Sequence, residues 1–113
     1  MPEKSYRVFL DEENSIFVYF ETTDGVVTSF VVKYLSIINQ IEYEILRYDS
    51  GHDVAHVDYL NSNGEVEKKI WLSHLNFAQA FTHARRDIEE NYLIYRERFI
   101  QWQNNDLQKK IKK

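Results

Sequence analysis

The chain has 113 residues, carries a formal net charge of −4 at pH 7, and is 43% hydrophobic and 28% charged. These values predict one globular domain and exclude both a disordered chain and a broadly basic nucleic-acid binder. The absence of cysteine excludes disulfides and thiolate metal sites, and no apolar run approaches the roughly 18 residues of a membrane-spanning helix. We therefore expect a cytoplasmic protein without a membrane partner.

The first predicted elements are strands joined by tight turns. Residues 6–10 alternate weakly between polar and apolar side chains, and residues 15–21 are rich in the β-branched and aromatic side chains that favour strands. The Asp24-Gly25 pair favours the positive φ angles of a tight hairpin. We therefore expect residues 26–36 to form the returning strand.

The predicted sheet continues through two more hairpins. Residues 41–48 alternate cleanly, as a strand with one buried face does. A polar turn follows, and residues 54–60 are predicted to form its partner strand. The Asn63-Gly64 pair is a second strong hairpin signal, and residues 65–72 close the sheet.

After the sheet, the spacing of apolar residues changes from two to three or four, as on one face of a helix. Ser73 and Asn76 are the two candidate caps for its first turn. We predict a helix over about 75–103, followed by a flexible basic tail over 104–113. Its apolar face comprises Phe77, Phe81, Ala84, Ile88, Tyr92, Tyr95, Phe99 and Trp102.

The predicted fold is α+β, an antiparallel five- or six-stranded meander with one long C-terminal helix packed across a face. The helix would be about 42 Å long, whereas strands of about six to eight residues span about 20–27 Å. The helix would then overhang the sheet and expose aromatic side chains, which favours a homodimer or a protein partner. The alternative is a break near Asn91 that lets the second half fold back.

The most polar stretch of the predicted sheet is the turn near residue 50 with its flanking strands. A simple hairpin would place Leu46 across from His56 and Glu44 across from Asp58. Like charges at facing positions repel unless a cation or a proton lies between them, which is a physical reason to suspect a functional site. We define the 47–58 cluster as Arg47, Asp49, His52, His56 and Asp58.

Two chemistries fit this cluster. In the first, His52, His56 and Asp58 bind a divalent metal, since imidazole and carboxylate suit zinc, manganese or iron. In the second, a histidine acts as general acid or base, is oriented by an aspartate, and works beside an arginine that holds a phosphate. That combination suits metal-independent RNA cleavage. The candidate aspartates are Asp49, Asp53 and Asp58, and the candidate arginines are Arg47, Arg85 and Arg86.

The same residues also have a purely structural interpretation. Asp49 bonding its own backbone, with Gly51 at positive φ, is ordinary turn chemistry. Arg47 lies on the apolar face of its strand by parity, so it would pair with a helix carboxylate such as Asp87 or Glu89. The sequence alone leaves these three interpretations open.

The run Arg47-Tyr48-Asp49, followed by His52 and His56, resembles a group of small prokaryotic proteins with an Arg-Tyr-Asp-x-x-His core. The group includes proteins similar to TumE-type toxins of toxin–antitoxin pairs, and the similarity covers about residues 40–72. The resemblance implies that these five residues are functional and that the activity is that of a growth-inhibiting toxin acting on RNA. The chain has His56 and Asp58 where the group closes its motif with a His-x-His pair.

We therefore expect a small toxin-like domain that acts on or binds RNA through the 47–58 cluster. Its expected partners are RNA, a small antitoxin protein and a second copy of itself, and no cofactor is expected. The alternative is a non-catalytic protein-interaction or homo-oligomerisation module that uses the aromatic face of the helix.

Overall fold

Six strands followed by one helix build the fold in the computed structural model, which describes residues 2–111. A single 3-10 turn, Gly51–Asp53, lies between the fourth and fifth strands. The strands are β1 (Glu3–Phe9), β2 (Asn14–Thr23), β3 (Val26–Ile38), β4 (Ile41–Asp49), β5 (His56–Leu60) and β6 (Val66–Trp71), and the helix is α1 (Phe77–Ile111).

All six strands form one antiparallel sheet in which each strand pairs with its neighbours in the sequence. Local turn chemistry sets this order. Asp24 and Gly25 adopt positive φ angles, as the sequence predicts, and Asn39 and Gln40 do the same in the turn between β3 and β4. The α+β meander with one C-terminal helix is therefore confirmed.

Helix α1 begins directly after Asn76, which caps it. The side-chain oxygen of Asn76 accepts the backbone N–H of Gln79 at 2.8 Å, and the side chain of Gln79 accepts the N–H of Asn76 at 2.9 Å. This reciprocal pair satisfies two backbone donors that a helix start leaves free. Of the two predicted caps, the structure selects Asn76.

The helix is continuous to Ile111 and has no break near Asn91. Residues 104–111, predicted as part of a flexible tail, are helical, and residues 112 and 113 lie outside the described residues. The helix continues because residues 104–111 contain no Gly or Pro that would end it. Within residues 2–111, no helix is long and apolar enough to cross a membrane.

The aromatic face of the helix packs on the sheet, and the predicted exposed overhang is wrong. Strand β3 has 13 residues and spans about 43 Å, against about 52 Å for the 35-residue helix. Strand β3 continues to Ile38, two residues beyond its predicted end, and the distal aromatic residues pack on β3, β4 and β5 together. Three ring pairs show this: Tyr92 with Tyr34 of β3, Tyr95 with Tyr59 of β5, and Phe99 with Tyr43 of β4.

The hydrophobic core lies between the helix and the sheet face that it covers. The helix contributes the buried residues Ala80, Ala84, Ile88 and Phe99 to this core. The largest fully buried side chains include Tyr34, Tyr48, Phe30, Phe99, Ile16, Leu46, Ile88 and Val18.

A bulge in β4 decides which side chains face the helix. Tyr34 pairs with Leu46 but Leu35 pairs with Glu44, so Ile45 is an extra residue and the alternation shifts by one. Ile45 and Leu46 are both buried as a result. Arg47 then lies on the face opposite the helix, which we call the open face. The prediction that Arg47 lies on the apolar face and pairs with Asp87 or Glu89 is therefore wrong.

Candidate functional site

The connection between β4 and β5 brings Asp49 across from His56 and Arg47 across from Asp58. The predicted register, with Leu46 across from His56, is wrong. The connection comprises the 3-10 turn and three further residues, so β5 begins at His56 rather than at residue 54. Asp58 therefore pairs with the oppositely charged Arg47 and not, as predicted, with Glu44.

The turn itself is held by backbone and side-chain hydrogen bonds. The N–H of Gly51 donates to Asp49 Oδ1 at 2.8 Å, and the N–H of Phe30 in β3 donates to the Ser50 hydroxyl at 3.0 Å. His52 and Asp53, rather than Gly51, take positive φ angles, of 63° and 61°. At Gly51 a Cβ would make a tight contact instead, since it would lie 3.0 Å from Asp49 Oδ1.

His56 is the centre of the site and is almost fully buried. Its Nδ1 lies 3.0 Å from the carbonyl oxygen of Val54, so the Nδ1–H donates to that carbonyl. Its Nε2 lies 3.0 Å from Asp49 Oδ1 and 3.7 Å from Asp58 Oδ2. The Trp71 ring packs over the imidazole at 5.1 Å between centroids. Both ring nitrogens therefore face protein groups and not solvent.

Arg47 lies between two carboxylates of its own strand. Its Nη1 is 3.3 Å from Glu44 Oε2 and its Nε is 3.3 Å from Asp49 Oδ2. The Nε is buried and makes no well-aligned hydrogen bond within the described chain. Arg47 thus balances the charge of two neighbouring acidic side chains, one of which contacts His56.

Two lysines complete the ion pairs of the open face. Lys33 Nζ lies 3.2 Å from Glu44 Oε1, and Lys69 Nζ lies 3.3 Å from Asp58 Oδ1. Arg7 of β1 reaches across the two intervening strands to pair with Glu42 of β4. Positive charges therefore occur on four of the six strands of this face.

The cations of this face lie farther out than most of their carboxylate partners. The Lys33 and Arg47 side chains are 32% and 33% exposed, against 23% for the Glu44 side chain between them. Lys69 is 32% exposed, against 5% for Asp58. Aromatic rings accompany the cations, since Lys69 lies over Trp71 and Lys33 over Phe17. The side chains that meet solvent here thus include basic and aromatic ones, beside the exposed carboxylate of Glu42.

Four of the five predicted site residues come together: Arg47, Asp49, His56 and Asp58. His52 does not join them, because it is exposed in the turn and its ring centroid is 6.4 Å from that of His56. Arg85 and Arg86 lie on the helix, across the sheet from these residues, and Arg85 donates to the Tyr6 hydroxyl at 2.9 Å.

Tyr48, which the resemblance marks as functional, lies on the face covered by the helix. Its hydroxyl donates to Asp87 Oδ2 at 2.6 Å. Burial and this hydrogen bond to Asp87 raise the pKa of Tyr48 above its ordinary value of 10.0. The Arg-Tyr-Asp run is therefore divided by strand alternation between the two sheet faces.

Sequence reasoning missed three residues of the site: Lys33, Lys69 and Trp71. The signal for two of them was present, since residues 65–72 alternate and place Lys69 and Trp71 opposite Ile70. A groove of about 490 Å³ lies beside the turn and gives solvent access to one side of the site. It is lined in part by Ser29, Val31, Asp49, Gly51, His52 and Asp53.

The sequence model of a domain of unknown function, DUF7718, matches residues 1–105. Because this match covers nearly the whole chain, the protein belongs to that family. Comparison with curated proteins gives no match, and comparison with solved structures gives none either.

Proposed function

We propose that this member of the DUF7718 family is a small toxin-like domain that binds RNA on the open face of its sheet and acts on it at the 47–58 cluster. The observation that carries the proposal is the layered charge of that face. Lys33, Arg47 and Lys69 lie outside the carboxylates Glu44, Asp49 and Asp58 that hold them. The solvent-facing layer is therefore suited to phosphate even though the chain as a whole is acidic.

Each part of the face has a role in this proposal. Arg47 binds a phosphate through its guanidinium, because a planar fork of donors matches phosphate oxygens. Trp71 is 50% exposed and offers its ring for base stacking, as single-stranded RNA-binding surfaces do. His52 is the exposed histidine beside the groove and is placed to transfer a proton.

His56 and Asp58 have a different role in this scheme, because they are buried beneath the basic layer. His56 contacts Asp49 Oδ1 and Asp58 contacts Lys69, so the buried pair positions residues that meet the substrate. A toxin of this kind acts in the cytoplasm, where its RNA target is found, and is held inactive by a small antitoxin protein.

The test is inducible expression in a bacterial host, with growth and total RNA followed over time. We expect the wild type to arrest growth with loss of RNA, and Arg47→Gln and His52→Asn each to relieve the arrest. Asn is chosen because it tolerates the positive φ of position 52. Arg86→Gln is the matched control, since Arg86 is an exposed arginine on the other side of the sheet.

Two results would contradict the proposal. One is normal growth with intact RNA when the wild type is expressed. The other is equal relief of growth arrest by Arg47→Gln and by Arg86→Gln, because equal relief would show a non-specific effect of charge. Folding of each variant is checked by circular dichroism on purified protein.

A second candidate function is an interaction module, which includes the predicted homodimer. The observation that favours it is an apolar pair on the outer surface of the helix, since Leu93 and Ile94 are 60% and 65% exposed. The aromatic face is already packed on the sheet, so this pair is the surface that a second copy would cover.

A further inference from the structure

Three side chains of the open face direct one ligand atom each toward a common point. His56 Nε2 lies 3.0 Å from Asp49 Oδ1 and 3.7 Å from Asp58 Oδ2. All three residues offer ligand atoms that lie within 4.8 Å of one another. Ligand atoms about 2.1 Å from a shared ion lie up to about 4.2 Å apart, so a small side-chain rotation would be enough to bring them to one ion.

The remaining polar atom of each side chain lies beside a group outside the three-residue site. Such outer contacts are what orient metal ligands, and a ligating histidine usually donates its second N–H to a carbonyl or carboxylate. The outer contacts are Arg47 Nε with Asp49 Oδ2 (3.3 Å), Lys69 Nζ with Asp58 Oδ1 (3.3 Å), and the Val54 carbonyl with His56 Nδ1 (3.0 Å).

Two of the three side chains are deeply buried, since those of His56 and Asp58 are only 3% and 5% exposed. Lys69 Nζ, 3.3 Å from Asp58 Oδ1, offsets part of the carboxylate charge, but Asp58 Oδ1 receives no hydrogen bond from any described residue. His56 Nε2 and Asp49 Oδ1 are 3.0 Å apart, a separation that two ligand atoms of one metal ion can have.

We propose that Asp49, His56 and Asp58 bind one divalent transition-metal ion. One imidazole and two carboxylates match the preferences of Mn²⁺ and Zn²⁺. Three protein ligands leave a position for water or for an oxygen of a bound phosphate, as sites with catalytic metals do. Metal binding here goes beyond the proposed RNA function and does not depend on it.

The test is isothermal titration of the full chain with MnCl₂ and, separately, with ZnCl₂. We expect one ion per chain, and at least about tenfold weaker binding in Asp49→Asn and in Asp58→Asn, because each loses a charged ligand at constant shape. Asp53→Asn is the matched control: it removes a neighbouring exposed carboxylate that is not part of the three-residue site, and we expect it to bind the ion like the wild type.

A measurement on the wild type alone guards against variants that fail to fold. Mn²⁺ is paramagnetic, so we expect it to broaden the amide signals of residues 49, 56 and 58 before those of the helix. The proposal is overturned if neither ion binds saturably at about 1 mM. It is also overturned if Asp53→Asn weakens binding as much as Asp58→Asn.

Discussion

At the scale of single residues, Asp87 links the helix to the sheet. Its Oδ2 accepts the hydroxyl of Tyr48, and its Oδ1 accepts the hydroxyl of Tyr95 at 2.7 Å and the side-chain amide of Asn91 at 2.9 Å. Burial and the hydrogen bond to Asp87 raise the pKa of Tyr95, as they do for Tyr48. Both hydroxyls therefore stay protonated donors well into alkaline solution.

Replacing Tyr48 by Phe removes a buried hydrogen bond to a charged acceptor, so we expect the free energy of unfolding to fall by about 1.5–3 kcal/mol at pH 8. Tyr43→Phe is the control, because the Tyr43 hydroxyl accepts a hydrogen bond only from the neutral amide of Gln103. Its cost should stay within about 0.5–1.5 kcal/mol, measured by denaturant unfolding. Equal costs for the two variants would show that the charge of Asp87 contributes nothing.

The effect of Tyr48→Phe on stability should also depend on pH. The pKa of Tyr48 is raised on folding, so its contribution is complete below pH 10 and is lost as the pH rises above that value. Between pH 8 and pH 11 the stability gap between wild type and Tyr48→Phe should narrow by about 1.4 kcal/mol. If the free energies of unfolding of the wild type and Tyr48→Phe fell equally between pH 8 and pH 11, the pKa of Tyr48 would not be raised by folding.

The sequence identified most residues of the site correctly, but not their strand pairing or the sheet face on which Arg47 lies. The polar composition near residue 50 was enough to identify Arg47, Asp49, His56 and Asp58 as a group. Their register was missed because it depends on the length of the connection after Asp49, which the polar turn does not specify. The face of Arg47 was missed although the adjacent apolar residues Ile45 and Leu46 interrupt the alternation at the bulge.

At the scale of elements, the helix start depends on one side chain. Asn76→Ala removes the acceptor for the Gln79 N–H, so we expect a loss of about 1 kcal/mol in the free energy of unfolding. Asn105→Ala is the control, since it replaces an exposed residue within the helix by the best helix former and should be neutral or slightly stabilising. Denaturant unfolding measures both, and equal effects would show that Asn76 does not act as a cap.

Elements were predictable where local chemistry decides them. Asp24-Gly25 marked its hairpin, and all eight residues predicted for the apolar helix face are buried or half-buried. The end of β3 was predicted two residues too early, although Ile37 and Ile38 are β-branched residues that favour strands. The turn conformation was also predicted incorrectly. Positive φ was expected at Gly51, but His52 and Asp53 take the left-handed conformation instead.

At the scale of the whole molecule, the outer helix surface allows a test of self-association. If a second copy covers Leu93 and Ile94, the double variant Leu93→Glu with Ile94→Glu should change from dimer to monomer while keeping its circular dichroism spectrum. Light scattering after size-exclusion chromatography measures the mass of each. The matched control is Glu90→Gln with Glu97→Gln, which changes two exposed polar positions of the same helix.

A monomeric wild type would contradict the predicted homodimer. Truncating the aromatic face, as in Phe99→Ala with Trp102→Ala, would not test self-association, because Phe99 is 1% exposed and packs on Tyr43. Its truncation would remove core packing whether or not the protein self-associates.

The meander order of the sheet has a consequence for how the chain reaches its native state. Every strand pairs only with the strand before or after it, so each pairing closes a short loop and loses little chain entropy. Chains dominated by such local contacts fold quickly. The sheet can therefore grow hairpin by hairpin from either end, and the helix is the one element that must find a distant partner. We therefore expect docking of the helix to be a late step of folding.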